Sequence, residues 1–333
     1  MATLSALHQT LPLDGSRKLI RLLKVEPGQW NEDIRTKLHV ASLRRAARDG
    51  FSALSYVWGQ LDPDAEQHVW VNGHAIPVTP NLFLALRLLC AHAREKALVM
   101  WIDALCIDQS SSEERSQQVG MMGDIYRKCG EGLVWLGDFE ARFGTAIPDC
   151  WSFTGDGSDY SGPSWLRYLD SFGVEDFNQD ISIELGERIG IDKIPGICIV
   201  EDRVRGLQNL RLADAVFHFA WFLRQLLLAW EEDRHLDASW KMVPHNLFVP
   251  PERVSRDWRG YWSRTRELLS VLTGDAWFRR LWVVQELALP VRVQFFFGPI
   301  SMPLKMFKMV FGFLMSTRVL EWDGGAGTKT ASS

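Results

Sequence analysis

The apolar positions of the chain change period several times, and each change marks an element. Lys18 to Val25 and Thr36 to Ser42 are short apolar runs separated by Pro27-Gly28, the pattern of a strand, a turn and a second strand. Phe51 to Val57 alternates large apolar with small residues and stops at Trp58-Gly59, as a strand entering a loop does. From Asn81 the period becomes helical: Leu82, Ala85, Leu86 and Leu89 share one face, with Asn81 as the expected N-cap. A continuous apolar run from Ala97 predicts a buried parallel strand, and Asp103 is its first charge. Ser111 and Glu114 have capping-box spacing ahead of a helix whose apolar face is Val119, Met122, Ile125 and Tyr126. Gly132 to Leu136 is the next strand, closed by Gly137-Asp138.

The succession of strand, helix, strand, helix and strand between residues 51 and 138 predicts an α/β fold. Right-handed crossovers would make it a doubly wound parallel sheet, with strands near 52–57, 98–102 and 132–136 and helices near 81–95 and 113–128. The strand pair within residues 1–50 is an N-terminal extension of that sheet. Residues 139–270 read as a variable, largely helical insertion, with a loop over 155–164 and helix formers over 207–232. Asp275 caps a helix expected to run through Ala288, Pro290 stops it, and Val291 to Phe297 is a strand. The tail 301–333 lacks periodicity from Asp323 and is expected to be disordered there. The division is thus 1–50, 51–300 and 301–333.

Composition narrows the function classes. Hydrophobic residues make up 47% of the 333 and charged residues 23%, which excludes collagen-like and wholly disordered chains. The net charge of -4 argues against a protein that holds nucleic acid on a basic surface. Five scattered cysteines with no C-x-x-C pair fit neither a zinc site nor a secreted disulfide framework, so no metal is expected. The greasy stretches Ala215 to Trp230 and Leu304 to Leu320 carry charges, so no membrane span is expected, and the N-terminus lacks a signal-peptide pattern. A cytoplasmic location follows as the expectation.

No P-loop, G-x-S-x-G, H-E-x-x-H or G-x-G-x-x-G motif is present, so candidate chemistry is positional. Ligands of open parallel sheets bind beyond the carboxyl ends of the strands, where Ser55 to Gly59, Asp103 to Gln109 and Gly137-Asp138 fall. Ser55, Tyr56, Trp58, Gly59 and Asp103 are the binding candidates there, against the plain alternative of turn chemistry. On a continuous helix from Asp275, Arg279, Trp282 and Glu286 would share one face, beside an apolar face of Trp277, Leu281, Val284 and Ala288. Two alternatives stay open for that face: a solvated Arg and Glu, or a carboxylate set against an aromatic wall and a ligand.

Five blocks, FSALSYVWG (51–59), NLFLALRLL (81–89), WIDALCIDQSSSEERSQQVGMMGDIYRKC (101–129), VWLGD (134–138) and WFRRLWVVQELA (277–288), resemble in order and spacing the heterokaryon incompatibility domain of filamentous fungi. The chain departs from that pattern at Asp108, where the family usually has Asn, and at Cys129-Gly130. Members commonly continue for several hundred residues, which makes a short or truncated paralogue one expectation.

The resemblance implies an effector of allorecognition that triggers death of fused cells. Through a distant kinship it also implies a flavodoxin-like fold similar to the Toll/interleukin-1 receptor domain, some members of which hydrolyse NAD. Trp282 and Glu286 have the spacing of those relatives' W-x-x-x-E motif. The resemblance therefore implies Glu286 as catalytic carboxylate, Trp282 as a stacking plate, Arg279 toward phosphate, and NAD or a related nucleotide as substrate, with no resident cofactor. The rival expectation is a non-catalytic module that acts by homo-oligomerisation or by binding a signalling partner.

Overall fold

The computed structural model describes residues 3–14, 17–28, 32–61, 67–93, 97–138, 198–199, 274–298 and 300–316. The chain divides into two compact units, residues 1–145, 198–207 and 275–304 in one and residues 146–197, 208–274 and 305–333 in the other. Except for the final helix, every element below lies in the first unit.

In chain order these are α1 (Leu4–Thr10), β1 (Leu19–Val25), β2 (Arg35–Ser42), α2 (Leu43–Asp49), β3 (Ser52–Tyr56), β4 (His68–Val71) and β5 (His74–Pro77). There follow α3 (Pro80–Ala93), β6 (Leu98–Trp101), α4 (Asp103–Cys106), α5 (Ser112–Lys128), β7 (Glu131–Trp135) and β8 (Cys198–Ile199). A 3-10 turn (Ala276–Arg279), α6 (Val283–Ala288), β9 (Val293–Phe297), β10 (Ile300–Pro303) and α7 (Leu304–Ser316) complete the set.

The strands join in one sheet in the order β5-β4-β2-β1-β6-β3-β7-β9-β10-β8. Its centre is parallel: β3 pairs with β6 and β7, and β7 with β9. Those are the three strands expected from the sequence, with β9 added beyond them. The connection from β3 to β6 runs through α3 and the connection from β6 to β7 through α5, so they step in opposite directions along the sheet. The expected N-terminal pair is an antiparallel hairpin, and its β1 joins the centre antiparallel to β6 with Leu23 opposite Met100.

The sheet is therefore mixed rather than parallel throughout. Its margins are antiparallel at β4 with β5, β9 with β10 and β10 with β8. The turn between β4 and β5 is Asn72-Gly73, both residues at positive φ, the backbone that the hairpin twist requires and that Asn and Gly adopt most readily.

The core gathers on both sides of the central strands. Ala53, Leu54, Met100, Trp101, Leu133 and Trp135 are buried, and Trp101 meets Tyr126 of α5 edge to face. Leu105 is buried as well. In α7, Met306, Phe307 and Val310 are buried and Lys305 and Lys308 exposed.

Two helix starts differ from the pattern reading. Ser111 accepts from the Glu114 amide as expected, but the Glu114 carboxylate turns to Arg21 and the Asp108 amide, so only half of the box forms. In α3 the cap is Thr79, whose hydroxyl accepts from the Leu82 amide, and Pro80 takes the first helical position, where a missing N–H costs nothing. Asn81 is thereby released: its amide donates to the Val57 carbonyl and its Oδ1 accepts from Trp135 Nε1 at 2.7 Å, tying the ends of β3 and β7 to the helix.

The helix expected over 275–288 is in fact two pieces. Asp275 does cap its start, accepting from the Trp277 amide at 2.6 Å, but the turn ends at Arg280, whose backbone is extended. Helix α6 begins only at Val283. The expected insertion over 139–270, including its loop and helices, and the tail from Asp323 lie outside the described residues apart from β8.

Candidate functional site at the carboxyl edge of the central strands

Ala53 to Tyr56 of β3 are all buried, so Ser55 sits among packed side chains, and exposure rises only past the strand's carboxyl end at Trp58. The Ser55 hydroxyl donates to Glu286 Oε2 and accepts from Trp277 Nε1 at 2.6 Å, so one short polar side chain satisfies an indole and a carboxylate at once. Glu286 is 1% exposed and Trp277 fully buried. A carboxylate so enclosed needs a countercharge, and Arg280 supplies it, with Nη2 3.3 Å from Glu286 Oε1. The other end of the same guanidinium donates to the Tyr56 carbonyl at 2.7 Å. That bond accounts for the break at Arg280: a continuous helix would carry its side chain off this acceptor.

Burial pushes the Glu286 carboxyl above its usual range, against the opposing pull of Arg280 and Ser55. Beyond the end of β6, Asp103 is only half-buried, and its Oδ2 accepts from Trp58 Nε1 at 2.8 Å while Oδ1 accepts from the Ala104 amide. Its pKa is pushed up to about 6, chiefly by desolvation, with the Trp58 and Ala104 bonds and the Arg280 charge opposing and the Glu286 charge adding. Asp103 and Glu286 thus feel one guanidinium between them. Among the described residues the cluster carries two acids, Asp103 and Glu286, to one base, Arg280.

Of the residues singled out from sequence, Ser55, Asp103 and Glu286 come together, with the backbone of Tyr56 holding Arg280. Trp58 is 41% exposed beside Asp103, and Gly59 adopts a positive φ just after it. Tyr56 itself is buried, its hydroxyl held well above the usual range by burial. Arg279 and Trp282 do not join the cluster: Arg279 is exposed and Trp282, 38% exposed, caps α6 through its carbonyl, which accepts from the Glu286 amide. Their expected common face with Glu286 required an unbroken helix.

Sequence reasoning missed Arg280 and Trp277 in polar roles. The only signal was the Arg279-Arg280 pair, which does not say which member turns inward. Among the described residues no group of His, Cys, Asp and Glu could hold a metal ion, and Cys90, Cys106 and Cys129 are buried thiols outside any disulfide. Among them, too, no helix is long and apolar enough to cross a membrane.

Residues 51–154 match the family described as Heterokaryon incompatibility protein (HET). Heterokaryon incompatibility protein 6, OR allele, of Neurospora crassa is 34% identical over 140 residues, a stretch covering 39% of this chain and 20% of that protein. The chain thus spans about a fifth of the length of the curated relative it matches. No solved structure matches. The family segment contains β3, α3, β6, α5 and β7 with Ser55, Trp58 and Asp103, and over that segment the chain is similar to the heterokaryon incompatibility family.

Proposed function

We propose that this chain is an effector of fungal incompatibility that acts in the cytoplasm to bring about death of fused cells, and that it does so by hydrolysing NAD or a closely related nucleotide at the carboxyl edge of β3 and β6. The observation that carries the chemistry is the pair of carboxylates, Glu286 and Asp103, set about the single guanidinium of Arg280. Cleavage of the nicotinamide glycosidic bond builds positive charge on the ribose. A site with fixed excess negative charge stabilises that transition state more than the ground state. Glu286 supplies the fixed charge, held in place by Ser55 and Arg280, and the exposed face of Trp58 offers a plate for a ring.

A doubly wound, flavodoxin-like frame similar to the Toll/interleukin-1 receptor domain supports this placement. The central strands, numbered from β3 in chain order, lie in the order 2-1-3-4, and such sheets bind ligands at the carboxyl edge where the winding reverses.

A second reading is favoured by one observation, the near-complete burial of Glu286 with both oxygens engaged. In that reading the cluster is a structural lock, and the protein signals without catalysis by oligomerising or by binding a partner. Purified protein incubated with NAD and analysed by chromatography separates the two. Release of nicotinamide and ADP-ribose, reduced about 10- to 100-fold but still measurable in Glu286→Gln with the melting transition retained, is the expected result. Intact NAD, together with undiminished cell toxicity of Glu286→Gln, would establish the signalling module instead.

A further inference from the structure

Resting on the NAD-hydrolysis reading, we infer that Asp103 is the catalytic residue that touches the reacting atoms, as the base that takes the proton of the attacking water, while Glu286 is a positioning residue acting through Arg280. Three observations lead there. Glu286 is sealed from solvent, held there by Ser55 and Arg280, so neither of its oxygens is presented to a substrate. Asp103 is half-buried within electrostatic reach of Arg280 and Glu286, placed by the end of β6 and fixed through a different contact on each oxygen. One of those contacts is Trp58 Nε1, so the ring most open to a ligand and the more open carboxylate are joined by a hydrogen bond.

The step balances without a cofactor. The bond between ribose C1′ and the pyridinium nitrogen breaks with its electron pair going to the nitrogen, and neutral nicotinamide leaves. The oxygen of a water molecule bonds to C1′, and the proton it sheds passes to the Asp103 carboxylate and then to solvent. A base must be ionised to act, so the rate rises with pH through the pKa of Asp103, about 6. The titratable and charged groups facing it are Arg280, Glu286, Tyr56, Cys106 and Tyr126. Burial raises the thiol of Cys106 to about 12 and both phenols well above their usual value. Those three stay neutral across the limb, which leaves Arg280 and Glu286 as the charges that tune it.

The test measures nicotinamide release from NAD by the full chain between pH 4.5 and 8 in the wild type and three variants. Asp103→Asn keeps an oxygen for Trp58 and should lose about 100-fold or more in kcat, with KM little changed and the acid limb gone. Trp58→Phe removes a bond that favours the ionised acid and should move the limb above its wild-type position; Glu286→Gln removes a repelling charge and should move the residual limb below it. These opposed shifts are readable even if Asp103→Asn fails to fold. No nicotinamide from the wild type at any pH would overturn the NAD reading and this assignment together. Nicotinamide release whose acid limb survives in Asp103→Asn, or stays fixed in both other variants, would overturn the assignment alone and leave NAD hydrolysis standing.

Discussion

The hydroxyl of Ser55 donates to the carboxylate of Glu286 across 231 residues of chain, and no other bond joins β3 to α6 so directly. Replacing Ser55 by Ala strands the Trp277 indole N–H and leaves Glu286 Oε2 with only the long 3.5 Å contact to Arg280. Burying an unsatisfied polar group costs about 1–3 kcal/mol, so Ser55→Ala is expected to lower stability by at least about 2 kcal/mol in a urea melt. A loss below about 0.5 kcal/mol would mean that water enters the cluster.

Asp103 links the site to stability as well as to chemistry. Its folded pKa is raised from 3.8 to about 6, so the native state binds its proton more tightly than the unfolded chain. The stabilisation it gives is full below about pH 3.8 and is lost as pH rises through about 6. The difference in urea midpoint between wild type and Asp103→Asn should therefore shift against the wild type across that window and be flat above it. Glu286 is raised in the same direction and is present in both proteins, so the difference reports Asp103 together with its coupling to Glu286.

Gly132 lies where β7 passes beneath the end of α6. A Cβ there would sit 2.9 Å from Pro290 Cγ and 3.4 Å from the Glu286 carbonyl oxygen. Neither the proline ring nor the backbone yields easily, so Gly132→Ala should cost about 1–3 kcal/mol, the usual range for overpacking. Because the displaced segment bears Glu286, the variant should also weaken the coupling between Ser55 and Glu286, measured as a double-mutant cycle with Ser55→Ala.

A second buried charge holds the N-terminus. Arg21, 1% exposed on β1, pairs with both oxygens of Glu114 and donates to the carbonyls of Leu11, His8 and Cys106. Removing one partner of such a pair costs about 3–5 kcal/mol, and Arg21→Met should show it by thermal melting. Limited proteolysis should then cut first within α1, which the Arg21 contacts fasten to the end of α4 and to α5. Proteolysis that leaves α1 intact would place its anchorage elsewhere.

The central strands were legible because β3, β6 and β7 are apolar runs ending at Gly or Asp, a local signal that survives without tertiary information. The Asn72-Gly73 hairpin was equally legible from its dipeptide and the alternation beside it, and was overlooked. The two pieces at 275–288 were not legible. Apolar spacing there fits one helix, and what breaks it is a guanidinium seeking a carbonyl 224 residues earlier. A tertiary bond outweighed a local period, and for that reason the site's countercharge fell on Arg280 rather than Arg279. Asn81 was placed correctly near the helix start but in the wrong role, since Pro80 occupies the first helical position and leaves capping to Thr79.

The parallel register of β7 with β9 also has a consequence in time. During synthesis the strands from β1 to β7 leave the ribosome together, whereas the segment bearing Trp277, Arg280 and Glu286 follows after more than a hundred further residues. At ribosomal speeds of about 5–20 residues per second, Ser55 waits roughly 10–50 s for its carboxylate partner. A nascent chain therefore carries Ser55 and Asp103 without Arg280 and Glu286. Whatever the completed cluster does, a polypeptide abandoned in mid-translation cannot do it.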